Sequence, residues 1–251
     1  VTELCGVALA AGSGARLRPL SLELPKALCP VGGVPLIDLA LERLVSLGIG
    51  SLAVNTHSFA ETMAAHVDGR AHVSVESGQA LGTAGALGQL RPWIAGRATV
   101  VTNADAYLLG PVSPLLDGWN GSSIRLGVVH DEDSPDFDGR WRYAGICVMP
   151  WAEVCLLESV PSGLYEVSWR AGLATGRVEL VPLPGPFVDC GTPADYLAAN
   201  MLASGGSTVM GEGAVVEGSA VRCVLWPRAR VAEDEHLVDA IRTATGLTVQ
   251  G

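Results

Sequence analysis

Gly6-Val7-Ala8-Leu9-Ala10-Ala11-Gly12-Ser13-Gly14-Ala15-Arg16-Leu17-Arg18-Pro19 joins a short apolar run to a glycine-rich loop that carries arginine. The run has the length and composition of a buried strand, and the glycines end it. Without a Cβ, glycine lets such a loop turn tightly and approach phosphate oxygens closely. Successive amides there, or at a following helix start, can cradle those oxygens. Soon afterwards comes Pro25-Lys26, and Lys26 is the one lysine among 16 basic residues. Lysine is a compact point charge and arginine a planar fork, so the two do not interchange where an ammonium must sit among phosphates. Lys26 therefore reads as a phosphate-binding residue. On glycine spacing alone, a tight turn with surface arginines remains open. The loop is neither G-x-x-x-x-G-K-[ST] nor the dinucleotide fingerprint, because Leu17 fills the third glycine's place.

Outward from this stretch, strand and helix patterns alternate. Residues 35–45 have helical periodicity, stopping near Gly48. A strand at 51–55, a helix at 59–67, a strand at 71–76 and a helix over 84–90 follow, then a strong strand at 98–103. This order predicts an α/β fold, Rossmann-like, with a mixed but mostly parallel sheet and flanking helices. Ligands in such folds gather beyond the carboxyl ends of the strands, where the loop after Ala11 and the loop holding Asp105 both lie. Residues 124–130 and 143–149 read as further, antiparallel strands, and 131–142 as a polar surface loop.

The pattern changes near residue 200. Val209, Val215 and Val221 are evenly spaced among Gly211, Gly213 and Gly218, and Leu225, Val231 and Leu237 repeat the interval. A hexapeptide period with small residues at corners predicts a short left-handed parallel β-helix. So brief a coil needs a neighbour to pack on, which points to the main domain or to a homodimer. The expected division is a catalytic domain over 1–203 and an appendage over 204–251.

Hydrophobic residues are 49% and charged residues 17% of the 251, enough apolar material for a sizeable core. No run approaches the roughly 18–20 apolar residues of a membrane span. The start, Val1-Thr2-Glu3-Leu4-Cys5, has no basic segment and enters a strand pattern at once, which predicts no signal peptide. A net charge of −10 argues against a nucleic-acid surface. The cysteines, Cys5, Cys29, Cys147, Cys155, Cys190 and Cys223, are widely and irregularly spaced with no C-x-x-C pair. They read as free thiols in a reducing cytoplasm.

Asp105 follows an apolar strand, and Asp189 lies in the stiff segment Gly185-Pro186-Phe187-Val188-Asp189-Cys190-Gly191-Thr192-Pro193. Two carboxylates at strand ends can hold one Mg²⁺, an ion that keeps several waters and bridges phosphates. Each can equally be a solvated acid or a helix cap.

The pattern G-x-G-x-R-x-x-P over 12–19, followed by Pro25-Lys26, resembles the signature of the sugar-1-phosphate nucleotidyltransferases. The likeness continues through Pro30-Val31-Gly32-Gly33-Val34-Pro35, Leu81-Gly82-Thr83-Ala84-Gly85, Val101-Thr102-Asn103-Ala104-Asp105 and Val188-Asp189-Cys190-Gly191-Thr192-Pro193. In motifs it leans toward the mannose-1-phosphate guanylyltransferase-like members. The resemblance implies an enzyme that makes an NDP-sugar and pyrophosphate from a nucleoside triphosphate and a sugar 1-phosphate, with Mg²⁺. By the same carry-over, Arg16 and Lys26 are catalytic. Ala10, Gly12, Ser13, Gly14, Glu76, Gly82 and Thr83 bind the nucleotide. Asn103, Tyr143, Gly145, Glu166 and Arg170 form the sugar-phosphate side, and Asp105 and Asp189 hold the metal.

The chain departs from the family pattern in two places. Ala104 stands where members commonly have glycine. The second lysine that grips the sugar phosphate in many members is absent, with Arg140, Arg142 and Arg170 as candidate replacements. Two other readings therefore remain: a nucleotide-sugar-binding regulator with little turnover, and a transferase acting on choline phosphate or a cyclitol phosphate. In the latter, Trp141, Tyr143 and Trp169 would wall a cationic ligand.

Overall fold

A computed structural model describes residues 3–251; Val1 and Thr2, which open the start read as leaderless, lie outside the described residues. Strand β1 (Leu4–Leu9) is buried through its middle and is flanked by parallel strands on both sides. The others in its sheet are β2 (Leu52–Thr56), β3 (His72–Val75), β4 (Ala98–Asn103), β5 (Ile124–His130), β6 (Trp141–Met149) and β7 (Val178–Pro182). Their spatial order is β7-β5-β6-β4-β1-β2-β3. Only β6 runs antiparallel to its neighbours β4 and β5, so the sheet is mixed and mostly parallel, as expected. Fully buried runs such as β2 mark a sheet covered on both faces.

The helices form where apolar residues recur at helical spacing. In α1 (Leu36–Val45), Leu36, Ile37, Ala40, Leu41 and Leu44 are all buried. Helix α2 is Ala60–Val67, and α3 is Gly82–Ile94, which begins at the Gly82-Thr83 turn rather than after it. Buried Leu87, Leu90 and Ile94 of α3 join Cys5, Val7, Val101, Ile124 and Met149 in the sheet's core. On another face, α3 carries glycines one turn apart. A Cβ on Gly82, Gly85 or Gly88 would lie 2.6 Å from the Ser162 carbonyl oxygen, 2.3 Å from that of Val160 or 2.2 Å from that of Glu158. The stripe lets the 158–162 backbone lie directly on the helix, and Ala84 N–H donates to Ser162 O at 3.0 Å.

The chain divides into two compact units, Val1–Ser13 with Ala40–Phe187, and Gly14–Leu39 with Val188–Gly251. Residues 14–39 and 188–203 fall in the same unit as the tail. Helix α4 (Pro193–Ser204) shows why the second unit starts where it does. Thr192 Oγ1 caps it by accepting from Asp195 N–H at 3.2 Å, and Gly205 ends it at φ 62. Buried Tyr196 donates to Pro30 O and accepts from Trp226 Nε1 at 3.0 Å, while Asn200 accepts from Gly32 N–H at 3.0 Å.

The tail consists of short parallel rungs and ends in an antiparallel pair, Ala240–Arg242 with Thr248–Gln250. Val209 pairs with Val224 and that with Ile241; Val216 pairs with Val231, and Ala220 with Leu237. Leu225 and Val231 are buried and Leu237 packs against them, as the spacing predicts. The first row is out of phase, however: Val215 and Val221 are exposed, and Ala214, Val216 and Ala220 face the small core. The phase is set at the corners, where a Cβ on Gly211 or Gly218 would come 2.4 Å from Pro227 N or 2.2 Å from Glu235 O.

Two measurements test this packing. Gly88→Ala should cost about 1–3 kcal/mol in urea denaturation, because its new methyl meets backbone rather than a yielding side chain. A variant as stable as the parent would show that no such close approach exists. All six cysteines are free thiols, and burial pushes Cys29 and Cys147 up to about 12. Both should resist iodoacetamide at pH 8 when folded and react in urea. Because their folded values are raised, their stabilising contribution is complete below 9.0, the ordinary thiol value, and disappears as pH climbs to about 12. The urea midpoint should accordingly drop with each step above pH 9.

Candidate active site

In the first unit, the loop leaving β1 (Leu9, Ala11, Gly12, Ser13) lines a cavity of about 270 Å³. Its other walls are Asn55 from β2, Ala80, Gly82 and Thr83 at the start of α3, and Asn103 and Asp105 beyond β4. The cavity sits at the carboxyl ends of parallel strands, where open α/β sheets bind ligands. Ala104 lies outside the positive-φ region, so its methyl costs no backbone strain and the departure from glycine is benign. Buried Arg43 of α1 fixes the segment around Asp105, donating to Thr102 Oγ1 at 2.6 Å and to Ala106 O at 2.7 Å.

Buried Glu76 reaches the cavity through other residues. Its Oε1 accepts from Asn55 Nδ2 and its Oε2 from Leu81 N–H, each at 2.7 Å. Asn55 Oδ1 in turn accepts from Ala10 N–H at 2.7 Å. One carboxylate thus ties together the first residue of the glycine loop and the turn before α3. Asn55 was legible only as a strand residue. The signal that could have marked it is an asparagine at the buried end of a parallel strand, where an amide must find partners.

A second cavity in this unit, about 220 Å³, is lined by Leu9, Thr83 and Asn103, which also border the first, and by Tyr143, Gly163, Glu166 and Trp169. The Tyr143 and Trp169 rings meet edge to face at 5.0 Å. Trp141 packs elsewhere, against His130 and Arg140, so of the three expected rings only Tyr143 and Trp169 are on the lining, which Tyr165 joins. Gly145 and Arg170 are not on the lining. Gly145 has φ +72, and a Cβ there would lie 2.6 Å from Ala106. Of the arginines considered for the missing lysine, Arg142 pairs with Asp131 at 3.2 Å and Arg140 lies over Trp141.

In the second unit, Asp189 faces both expected cations: Lys26 Nζ at 3.6 Å and Arg16 Nη2 at 3.4 Å. The Lys26 side chain is 10% exposed, while Arg16 is 69% exposed. A buried ammonium needs a counter-charge, and Asp189 supplies one. Arg16 lies across Gly191, where a Cβ would come 2.8 Å from its Nη2. Gly14, at φ +60, turns the loop so that its carbonyl accepts from Ser21 Oγ at 2.7 Å. Among the described residues, no group of three or more His, Cys, Asp or Glu is arranged to hold a metal. Nor is any helix among them long and apolar enough to cross a membrane.

Residues 5–119 match the family described as nucleotidyl transferase. The N-acetylmuramate alpha-1-phosphate uridylyltransferase of Caulobacter vibrioides is 37% identical over 76% of this chain and 93% of its own length. The mannose-1-phosphate guanyltransferase of Pichia angusta is 28% identical over 78% of this chain, which spans 63% of it. A crystal structure of a candidate glucose-1-phosphate thymidylyltransferase from Bacillus anthracis, in complex with sucrose, superimposes with a TM-score of 0.71. It is 20% identical, covers 80% of this chain and 95% of its own, and bears on the fold alone. The chain belongs to the nucleotidyl transferase family.

The carboxylate relay can be tested without substrate. Glu76→Gln offers Leu81 N–H or Asn55 a donor in place of an acceptor. It should cost about 1–3 kcal/mol of stability, the penalty for a buried group left unpaired. Hydrogen exchange should show Leu81 and Ala10 amides losing protection together. Unchanged protection at both would refute the relay.

Proposed function

We propose that this protein transfers a nucleotidyl group from a nucleoside triphosphate to a sugar 1-phosphate, giving an NDP-sugar and pyrophosphate. The observation that carries the reading is Lys26: the chain's one ammonium is nearly buried, 3.6 Å from Asp189, in a motif shared with the family. The sugar phosphate oxygen is already anionic, so no general base is needed. The obstacle is the repulsion between that anion and a highly charged triphosphate. Lys26, Arg16 and the amides of Gly12, Ser13 and Gly14 would offset it and favour the in-line transition state. Glu76, Gly82, Thr83 and Ala10 shape the nucleotide side, and Asn103, Tyr143, Gly145, Glu166 and Arg170 are assigned to the sugar phosphate.

Asp105 and Asp189 are the residues assigned to Mg²⁺. Two carboxylates suit it, since this ion commonly takes one or two from protein and the rest from phosphates and water. When bound, it would neutralise phosphate charge.

For the base and sugar, two pairs have support. The Caulobacter relative, at higher identity and matched over 93% of its length, favours UTP with N-acetylmuramate 1-phosphate. Leu81-Gly82-Thr83-Ala84-Gly85 and the guanyltransferases favour GTP with mannose 1-phosphate. We take UTP first. The stacked tail is read as the left-handed β-helix of its hexapeptide period. Its outward Met210, Val221 and Val238, each about half exposed, support a homodimer. Six free thiols support a reducing, cytoplasmic setting.

Crossing a set of NTPs with sugar 1-phosphates, choline phosphate and inositol phosphate in Mg²⁺ and reading pyrophosphate tests the proposal. The expected result is release with a sugar 1-phosphate. Release only with the non-sugar phosphates, or nucleotide binding without any release, would replace this reading with another. Lys26→Ala should lower kcat/KM by about 10²–10³-fold, the loss seen on removing one preorganised donor, and Lys26→Arg should not restore it.

A further inference from the structure

We propose that Gly163 is a specificity-determining position that holds the Glu166 carboxylate in the second cavity by having no side chain. The inference rests on reading that cavity as the sugar side. A Cβ on Gly163 would lie 2.1 Å from Glu166 Oε2 and 3.2 Å from its Cδ, so the carboxylate occupies the space of the missing methyl. Both residues line the same cavity, about 220 Å³. Gly163 is absent from the positive-φ glycines, so its backbone accepts any residue and the contact with Glu166 is the reason for glycine.

The backbone at this point cannot retreat. Ser162 N–H donates to Leu81 O at 2.9 Å and Ser162 O accepts from Ala84 N–H at 3.0 Å. Leu164 N–H donates to Thr83 Oγ1 at 2.9 Å, so the hydroxyl assigned to nucleotide binding also anchors this turn. Beyond it, Tyr165–Trp169 forms a π-helix, an irregularity frequent at functional sites. Val167 N–H donates to Gly163 O at 3.2 Å, closing the turn that carries Glu166. The Trp169 indole N–H, buried on the same turn, has no hydrogen-bond partner. With 162–164 pinned to α3, a methyl at 163 can be relieved only by the flexible end of Glu166, which must swing away. The cavity then loses its carboxylate, an acceptor-only group suited to the paired hydroxyls of a neutral sugar ring. The lining has no cation, so this wall engages ring hydroxyls rather than the phosphate.

The test is a double-mutant cycle of Gly163→Ala and Glu166→Ala, read by pyrophosphate release with mannose 1-phosphate and with N-acetylmuramate 1-phosphate. Gly163→Ala should raise KM for the sugar phosphate by about tenfold or more, as for loss of a charged hydrogen bond, with KM for the NTP nearly unchanged. Added to Glu166→Ala, it should change nothing further, because the atom it displaces is gone. Parental kinetics in Gly163→Ala, or losses that multiply in the double variant, would overturn the proposal. If Gly163→Ala alone fails to fold, the double variant must fold and match Glu166→Ala; failure there also overturns it. A crystal structure of Gly163→Ala reads the carboxylate directly, displaced or in place. That result stands even if no sugar phosphate is turned over, which would sink the proposed function instead.

Discussion

The amide of Ala10 donates to Asn55, Asn55 donates to Glu76, and Glu76 accepts from Leu81. Nearly everything at the carboxyl end of the sheet depends on this chain of short bonds. A glycine loop has little internal preference for one shape, since glycine gives up more backbone freedom than any other residue. The relay supplies what the loop lacks. It fixes where the loop leaves β1 and where the turn into α3 begins, and those two edges bound the larger cavity. A carboxyl group is costly to bury unless hydrogen bonds satisfy it, and here both oxygens are used. The same bonds that make its burial tolerable give the cavity its shape.

The second unit solves a different problem. Lys26 and Arg16, the cations proposed to hold phosphate, bring like charges to one carboxylate and repel each other there. Asp189 sits between them at 3.6 and 3.4 Å and balances that repulsion. A carboxylate in this place gives the nearly buried Lys26 side chain a counter-charge. It also explains why a small residue follows at Gly191, over which the Arg16 guanidinium lies. In the proposed function, Asp189 is one of the residues that would hold Mg²⁺, an ion that would supply charge to neutralise phosphate oxygens.

The sequence made the sheet legible because buried parallel strands are continuous apolar runs bounded by glycine. β7 escaped: Val178–Pro182 is short and ends in a proline, which fits an edge strand but weakens the pattern. The tail's period was legible and its phase was not. Val215 and Val221 carried the spacing, yet alanines face the core, because corner glycines required by the adjacent coil shift the inward row. At the site, the phosphate motifs singled out Lys26, Arg16 and Asp189, which meet in the second unit, and Asp105, which lines a cavity of the first. The supporting residues were hidden for a common reason. Asn55 and Arg43 act through contacts far apart in the chain, and no local pattern records them.

The glycines of α3 show how one substitution pattern serves both cavities. Gly82, Gly85 and Gly88 bring the 158–162 backbone onto the helix, at distances no side chain would permit. That contact places Ser162 where it can bond to Leu81 and Ala84, and it brings Leu164 within reach of Thr83. Thr83 therefore stands in the walls of both cavities with its hydroxyl committed to one side. A methyl added anywhere on this stripe would move the turn bearing Glu166 relative to Leu9 and Asn103, which the cavities share. The motif Leu81-Gly82-Thr83-Ala84-Gly85, read from sequence as a mark of base preference, is in the folded chain first a packing device. Its influence on which base or sugar is accepted would follow from the spacing that device sets between the two cavities' shared walls.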